Sequence, residues 1–148
     1  MTLDDACESA STDPRLRAGA AYDGEPGSIA DARRFATGFL TRAGTLHGFP
    51  VSRETIDTTR LVVSELVTNA CKYAPGPCVL DLELSEQVLE ITVWDANPRL
   101  PITRAAEPGR VGQHGLEIVL SLCEGFDVRR DPVGKRIKVR IAVTPAGD

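Results

Sequence analysis

Residues 61–73 read LVVSELVTNACKY, and the fold turns on how this stretch is read. Leu61, Val62, Val63, Leu66, Val67 and Ala70 give a predicted helix that is apolar nearly all round, which places it in the interior. Glu65, Thr68, Asn69 and Lys72 interrupt it at helical spacing and share one stripe. A carboxylate and an amide one turn apart on a buried helix need partners or a wet cavity. The stripe is either a solvated edge or the wall of a polar pocket, and the flanking sequence has to decide between them.

Ser52 caps this helix, and Pro75-Gly76-Pro77 ends it at about Ala74. Beyond it, Leu80, Leu82 and Leu84 alternate with Asp81 and Glu83. Leu89, Ile91 and Val93 then alternate with Glu90 and Thr92. That pattern predicts an antiparallel hairpin with one face on the core. Period-two alternation puts Asp95 on the same face as Leu89, Ile91 and Val93, pointing at the buried layer near the stripe. The alternative is that the strand ends at Trp94 and Asp95 opens a turn.

Residues 96–111, ANPRLPITRAAEPGRV, form a long proline-bearing loop, of the kind that is usually functional or mobile. Its arginines, Arg99, Arg104 and Arg110, either meet an anion or remain solvated. Gly112-Gln113-His114-Gly115 then leads into a short helix faced by Leu116, Val119, Leu120 and Cys123. Glycines at a helix start allow close backbone approach, and the free N–H groups there suit phosphate. His114 either hydrogen-bonds a ligand or positions the loop. Phe126 to Arg130 and Arg136 to Val143 read as a second hairpin, with Ile137, Val139, Ile141 and Val143 on its apolar face. Lys135, Arg136, Lys138 and Arg140 read as a solvated face of that strand.

Toward the N-terminus, residues 1–15 are expected to be a disordered tail, followed by a short edge strand from Leu16 to Tyr22. Ser28 caps the first helix, with Asp31 in its first turn. Ile29, Ala32, Phe35, Ala36, Phe39 and Leu40 carry that helix to about Arg42, before Gly44, Gly48 and Pro50 break it. His47 falls in the linker as a surface residue. The expected organisation is a single domain over residues 16–143 with a tail at 144–148. Its fold class is α+β, a two-layer sandwich of a mixed, mostly antiparallel sheet with helices on one face.

The chain of 148 residues is 42% hydrophobic and 26% charged, as for an ordinary soluble domain. A net charge of −4 without a basic run argues against direct nucleic-acid binding. No stretch approaches the ~18 apolar residues needed to span a membrane. The acidic start MTLDDACESASTD does not read as a secretory signal. Cys7, Cys71, Cys78 and Cys123 lack metal spacing, and Cys71 and Cys123 fall in predicted buried helices. A reduced, cytoplasmic protein is expected.

Three separated signals share one explanation: Glu65-x-x-x-Asn69 on a buried helix, Asp95 on an inward-facing strand, and the Gly112/Gly115 helix start after a long loop. Together they resemble the GHKL (Bergerat) ATP-binding fold of gyrase, Hsp90, histidine kinases and MutL. ELVTNACKYA resembles its N box, VWDANP its adenine-aspartate strand, and GQHGLEIV its glycine box. Within that superfamily the VSELVTNA string and compact length resemble the anti-sigma-factor serine kinases.

The resemblance implies that Asn69 holds Mg²⁺, that Glu65 is the general base toward a serine hydroxyl, and that Asp95 accepts from the adenine amino group. It places Gly112, His114, Gly115, Leu116, Lys72 and Arg104 around the phosphates of ATP. It implies a sigma factor and an anti-anti-sigma protein as partners, and a homodimer. The sequence departs from the family pattern at Asn97-Pro98, at Glu117, and at Lys135-Arg136, where relatives commonly carry a threonine beside the adenine. Two other functions stay open. One is a non-catalytic ATP-binding or sigma-sequestering module; the other is a histidine-kinase-type ATPase domain of another signalling complex. The latter calls for a helix pair with a phospho-acceptor histidine, and none is read before residue 28.

Overall fold

The computed structural model describes residues 15–49, 51–73, 76–95, 114–131 and 134–143. In chain order the elements are β1 (Leu16–Tyr22), α1 (Gly27–His47), α2 (Arg53–Tyr73), β2 (Cys78–Leu84), β3 (Val88–Asp95), α3 (His114–Leu122), β4 (Gly125–Asp131) and β5 (Gly134–Ala142). The strands form one sheet in the order β1-β2-β3-β5-β4. All four pairings are antiparallel.

Alternation in sequence becomes alternation of faces. Cys78, Leu80, Leu82 and Leu84 of β2 are buried, and so are Leu89, Ile91 and Val93 of β3 and Ile137, Val139 and Ile141 of β5. Register stacks them across the sheet, with Leu82 opposite Ile91 and Ile91 opposite Val139. The helices α1 and α2 pack on this face through Ala32, Ala36, Phe39, Leu40, Val62, Val63, Leu66 and Val67. Truncating a side chain such as the fully buried Leu82 to alanine is expected to cost about 2–5 kcal/mol.

The first helix begins at Gly27 and runs to His47, about a turn beyond the expected stop at Arg42. Gly44 is tolerated inside it, and the stop comes at Gly48. There φ is 73°, and Gly48 N–H and Phe49 N–H both donate to the Ala43 carbonyl. His47 is therefore the exposed last residue of α1 rather than part of a linker. Starting at Gly27 also moves Asp31 out of the first turn, where it pairs with Arg34. The second helix starts as its sequence indicates: Ser52 Oγ accepts from Thr55 N–H at 3.0 Å.

One close approach ties the turn before α1 to the turn after α2. Gly24 has φ of 89°, and a Cβ there would lie 2.2 Å from the Gly76 carbonyl oxygen, so only glycine fits. The expectation that Cys71 and Cys123 are buried helix residues is corrected. Both are half-buried, Cys123 lies past the end of α3, and the buried thiol is Cys78 on β2. The tails expected at 1–15 and 144–148 and the loop expected at 96–111 fall, but for Arg15, outside the described residues.

Candidate functional site

The polar stripe of α2 sorts by depth. On the packed side Val62, Val63, Leu66 and Val67 have no exposed surface, and Ala70 is 2% exposed. Glu65 and Thr68 are half-buried, and Asn69 is 7% exposed. Its side-chain Oδ1 is fully enclosed with no hydrogen-bond partner among the described residues. Leaving a buried amide oxygen unmatched costs about 1–3 kcal/mol, so such an atom calls for a partner from outside the chain, an ordered water or a ligand. Neighbouring Ser64, on the α1 side, accepts from Arg33 at 3.2 Å.

The strand β3 continues through Asp95, so the alternative of a turn opening at Asp95 is ruled out. Its side chain is 2% exposed on the core face, as parity requires. What parity did not announce is the cation opposite. Lys135 Nζ donates to Asp95 Oδ2 at 2.8 Å, and the Lys135 side chain is 1% exposed. The reading of Lys135 as part of a solvated strand face is thereby corrected. Half of the signal was in the sequence, since Lys135 has the parity of Ile137, Val139 and Ile141; the β3–β5 pairing that sets Asp95 directly across from it was not.

Tyr22, Cys78, Asp95, Lys135 and Arg130 form one transverse row on the core face at this end of the sheet. Burial, aided by Cys71, Asp95 and Asp23, pushes the Cys78 thiol up to about 11. Burial likewise raises the Cys71 thiol and the Tyr22 phenol above their ordinary values. On the opposite face the matching row runs Ala21, Val79, Trp94, Arg136 and Arg129. The Arg136 guanidinium stands 5.6 Å from the Trp94 ring centre and donates to Asp127 at 3.1 Å.

The two rows meet in a cleft of about 280 Å³ at the sheet end. It is lined by Trp94, Asp95, Gly134, Lys135 and three arginines, Arg129, Arg130 and Arg136. Sequence reading did not single out Trp94, Arg129 or Arg130: Trp94 precedes Asp95 on β3, and the two arginines reach that strand end only through the β3–β5 and β4–β5 registers. A cleft so rich in cations suits an oxygen-rich or anionic ligand.

The remaining candidates are placed more coarsely. Lys72 lies in the last turn of α2, and His114, Gly115 and Leu116 lie in the first turn of α3, with the side chains of Lys72, His114 and Leu116 outside the described part. Arg99, Arg104, Arg110 and Gly112 fall wholly outside it. Among the described residues, no cluster of three His, Cys, Asp or Glu side chains forms a metal cage. A lone amide oxygen still fits Mg²⁺, which takes oxygen ligands, keeps several waters and is shared with substrate phosphates. No helix among the described residues is long and apolar enough to cross a membrane.

Residues 23–141 match the family of histidine kinase-like ATPase domains. No curated protein matches the chain in sequence. The structure of the RsbU and RsbW domains of Rv1364c from Mycobacterium tuberculosis superposes with a TM-score of 0.64 at 16% identity, covering 90% of this chain and 33% of that one. The histidine kinase AdeS from Acinetobacter baumannii gives a TM-score of 0.46 at 13% identity, covering 86% of this chain and 68% of that one. This chain thus spans about a third of the length of the first of these structures, and at such identity the likeness is one of fold.

Proposed function

The chain belongs to the histidine kinase-like ATPase family, and from that premise we propose that it binds ATP with Mg²⁺ and phosphorylates serine on a protein partner. The observation that carries this reading is the enclosed, partnerless Oδ1 of Asn69, one helical turn after Glu65. An oxygen ligand and a carboxylate on one stripe are what metal-assisted phosphoryl transfer requires.

Asn69 would hold the Mg²⁺, whose charge neutralises phosphate oxygens. Glu65 takes the proton of the attacking hydroxyl. Asp95 faces the purine, and the first turn of α3, with Gly112, His114, Gly115 and Leu116, receives phosphate at a helix N-terminus. Lys72 and Arg104 supply further cations. By its resemblance to the anti-sigma-factor serine kinases, the protein acts in the cytoplasm. It binds a sigma factor, phosphorylates an anti-anti-sigma protein, and works as a homodimer.

The test is incubation with labelled ATP, Mg²⁺ and a candidate anti-anti-sigma protein. Phosphoserine formation that disappears in Glu65→Gln is the expected result, and tight ATP binding without phosphoserine sinks the kinase reading. If ATP with Mg²⁺ gives no thermal shift at millimolar concentration, nucleotide binding itself is wrong. A second reading, a non-catalytic module that sequesters its partner, is favoured by the Asp95–Lys135 pair, which occupies the purine acceptor with a residue of the chain.

A further inference from the structure

The Asp95–Lys135 pair is unlike every other ion pair among the described residues. Arg15–Glu83, Arg17–Asp81, Arg136–Asp127 and Lys138–Glu90 all have at least one-fifth of each side chain in solvent. Asp95 and Lys135 are 2% and 1% exposed. A carboxylate and an ammonium so enclosed are stable only when their charges are matched, and here each matches the other. Their position is equally specific. They sit opposite each other across β3 and β5, at the sheet end where the cleft opens, and both line that cleft.

We propose that Lys135 is a specificity-determining residue that competes with an incoming purine for Asp95. This rests on the nucleotide-binding reading above. A carboxylate recognises a 6-aminopurine by accepting from its exocyclic amine. With Lys135 Nζ already donating to Oδ2, the amine must displace or share an ammonium that is a stronger donor than itself. The ammonium can also donate to a 6-oxo group, which a carboxylate alone repels. Lys135 therefore weakens binding of the amino-bearing base and narrows the gap between 6-amino and 6-oxo purine nucleotides. A short side chain in its place leaves room for the base and takes the Lys135 ammonium off Asp95 Oδ2.

The experiment is calorimetric titration of the full chain with ATP and with inosine triphosphate, each with Mg²⁺, on the wild type and on Lys135→Thr. The wild type is expected to bind both nucleotides within about three-fold of each other. Lys135→Thr is expected to bind ATP about ten-fold or more tighter, with no gain for inosine triphosphate. Unchanged or weaker ATP binding by Lys135→Thr, or a wild type that already prefers ATP by more than about ten-fold, overturns the proposal while leaving nucleotide binding intact. If neither protein binds either nucleotide, the nucleotide reading falls and this inference falls with it.

Because Lys135→Thr leaves Asp95 without its cation, a measurement on the wild type alone stands beside it. The Lys135 ammonium is enclosed and hydrogen-bonded, so its protons exchange slowly enough for direct NMR detection. Saturating ATP is expected to shift or abolish that resonance. Saturation that leaves it unmoved overturns the proposal.

Discussion

Asn69 on α2 and Asp95 on β3 are buried almost equally, 7% and 9% exposed, and both are polar groups on the core side of the molecule. They are satisfied differently. Asn69 keeps a side-chain oxygen without a partner, whereas Asp95 is met by Lys135 from within the chain. An unmatched neutral amide oxygen costs about 1–3 kcal/mol, which a domain can carry to keep a binding position open. An enclosed carboxylate without a cation costs more, and the fold supplies one. On α2 a buried polar atom is thus left unmatched, while on β3 the buried charge is matched from within the chain.

The largest expected effect tests the α2 side. Glu65→Gln should lower phosphoserine formation by roughly 10²–10⁴-fold while ATP affinity stays near that of the wild type, as measured by labelled transfer beside calorimetry. If transfer survives, the stripe on α2 is a binding wall without a base.

Breaking the matched pair should be felt in folding. Asp95→Ala strands an ammonium in the core and is expected to destabilise the domain by about 3–5 kcal/mol, read from urea midpoints. The exposed pairs on the other face supply the contrast. Removing Arg15 from Glu83 should cost no more than about 1 kcal/mol, because both groups can return to water.

The same row yields a pH dependence. Cys78 lies opposite Asp95, and its thiol is raised from 9.0 to about 11, chiefly by burial. Below 9.0 the folded and unfolded chains both keep the proton, and this contribution is fully present. Between 9.0 and about 11 only the unfolded chain releases it, so stability falls as pH rises through that window. Cys78→Ala should flatten this part of the stability profile, and an unchanged slope would assign it to other groups.

Two smaller effects sharpen the contrast. Ser52→Ala removes the cap that starts α2 and should cost about 1 kcal/mol without altering nucleotide selectivity. Asn69→Ala removes a side chain whose Oδ1 makes no hydrogen bond among the described residues of the apo fold. It should change stability by less than about 1 kcal/mol yet abolish the Mg²⁺-dependent part of nucleotide binding. A large loss of stability in Asn69→Ala would mean that the amide is structural and that the two sides do not differ.

Much of this is legible in the residues alone. The apolar run of α2 with its polar stripe, the cap at Ser52 and the parity of β3 limit Asn69 to a solvated edge or a pocket wall, and Asp95 to an inward strand end or a turn. Those are local periodicities, and a helix or strand expresses them whatever it packs against. The exit of α1 is not legible in the residues because Gly44 and Gly48 are alike in sequence, and only Gly48 meets a left-handed backbone with the Ala43 carbonyl to satisfy. The burial of Lys135 is hidden too, because a lysine among alternating charges looks solvated until its strand is set against β3.

Sequence therefore determined which faces are apolar, which helix carries Asn69 and Glu65, and that Asp95 points inward if its strand runs on to it. Only tertiary structure decided who meets whom: that Asn69 Oδ1 is left without a partner, and that Asp95 is held by a lysine forty residues away. The physical reason is that periodicity sets the direction of a side chain, whereas its partner depends on strand register and on which group burial denies to water.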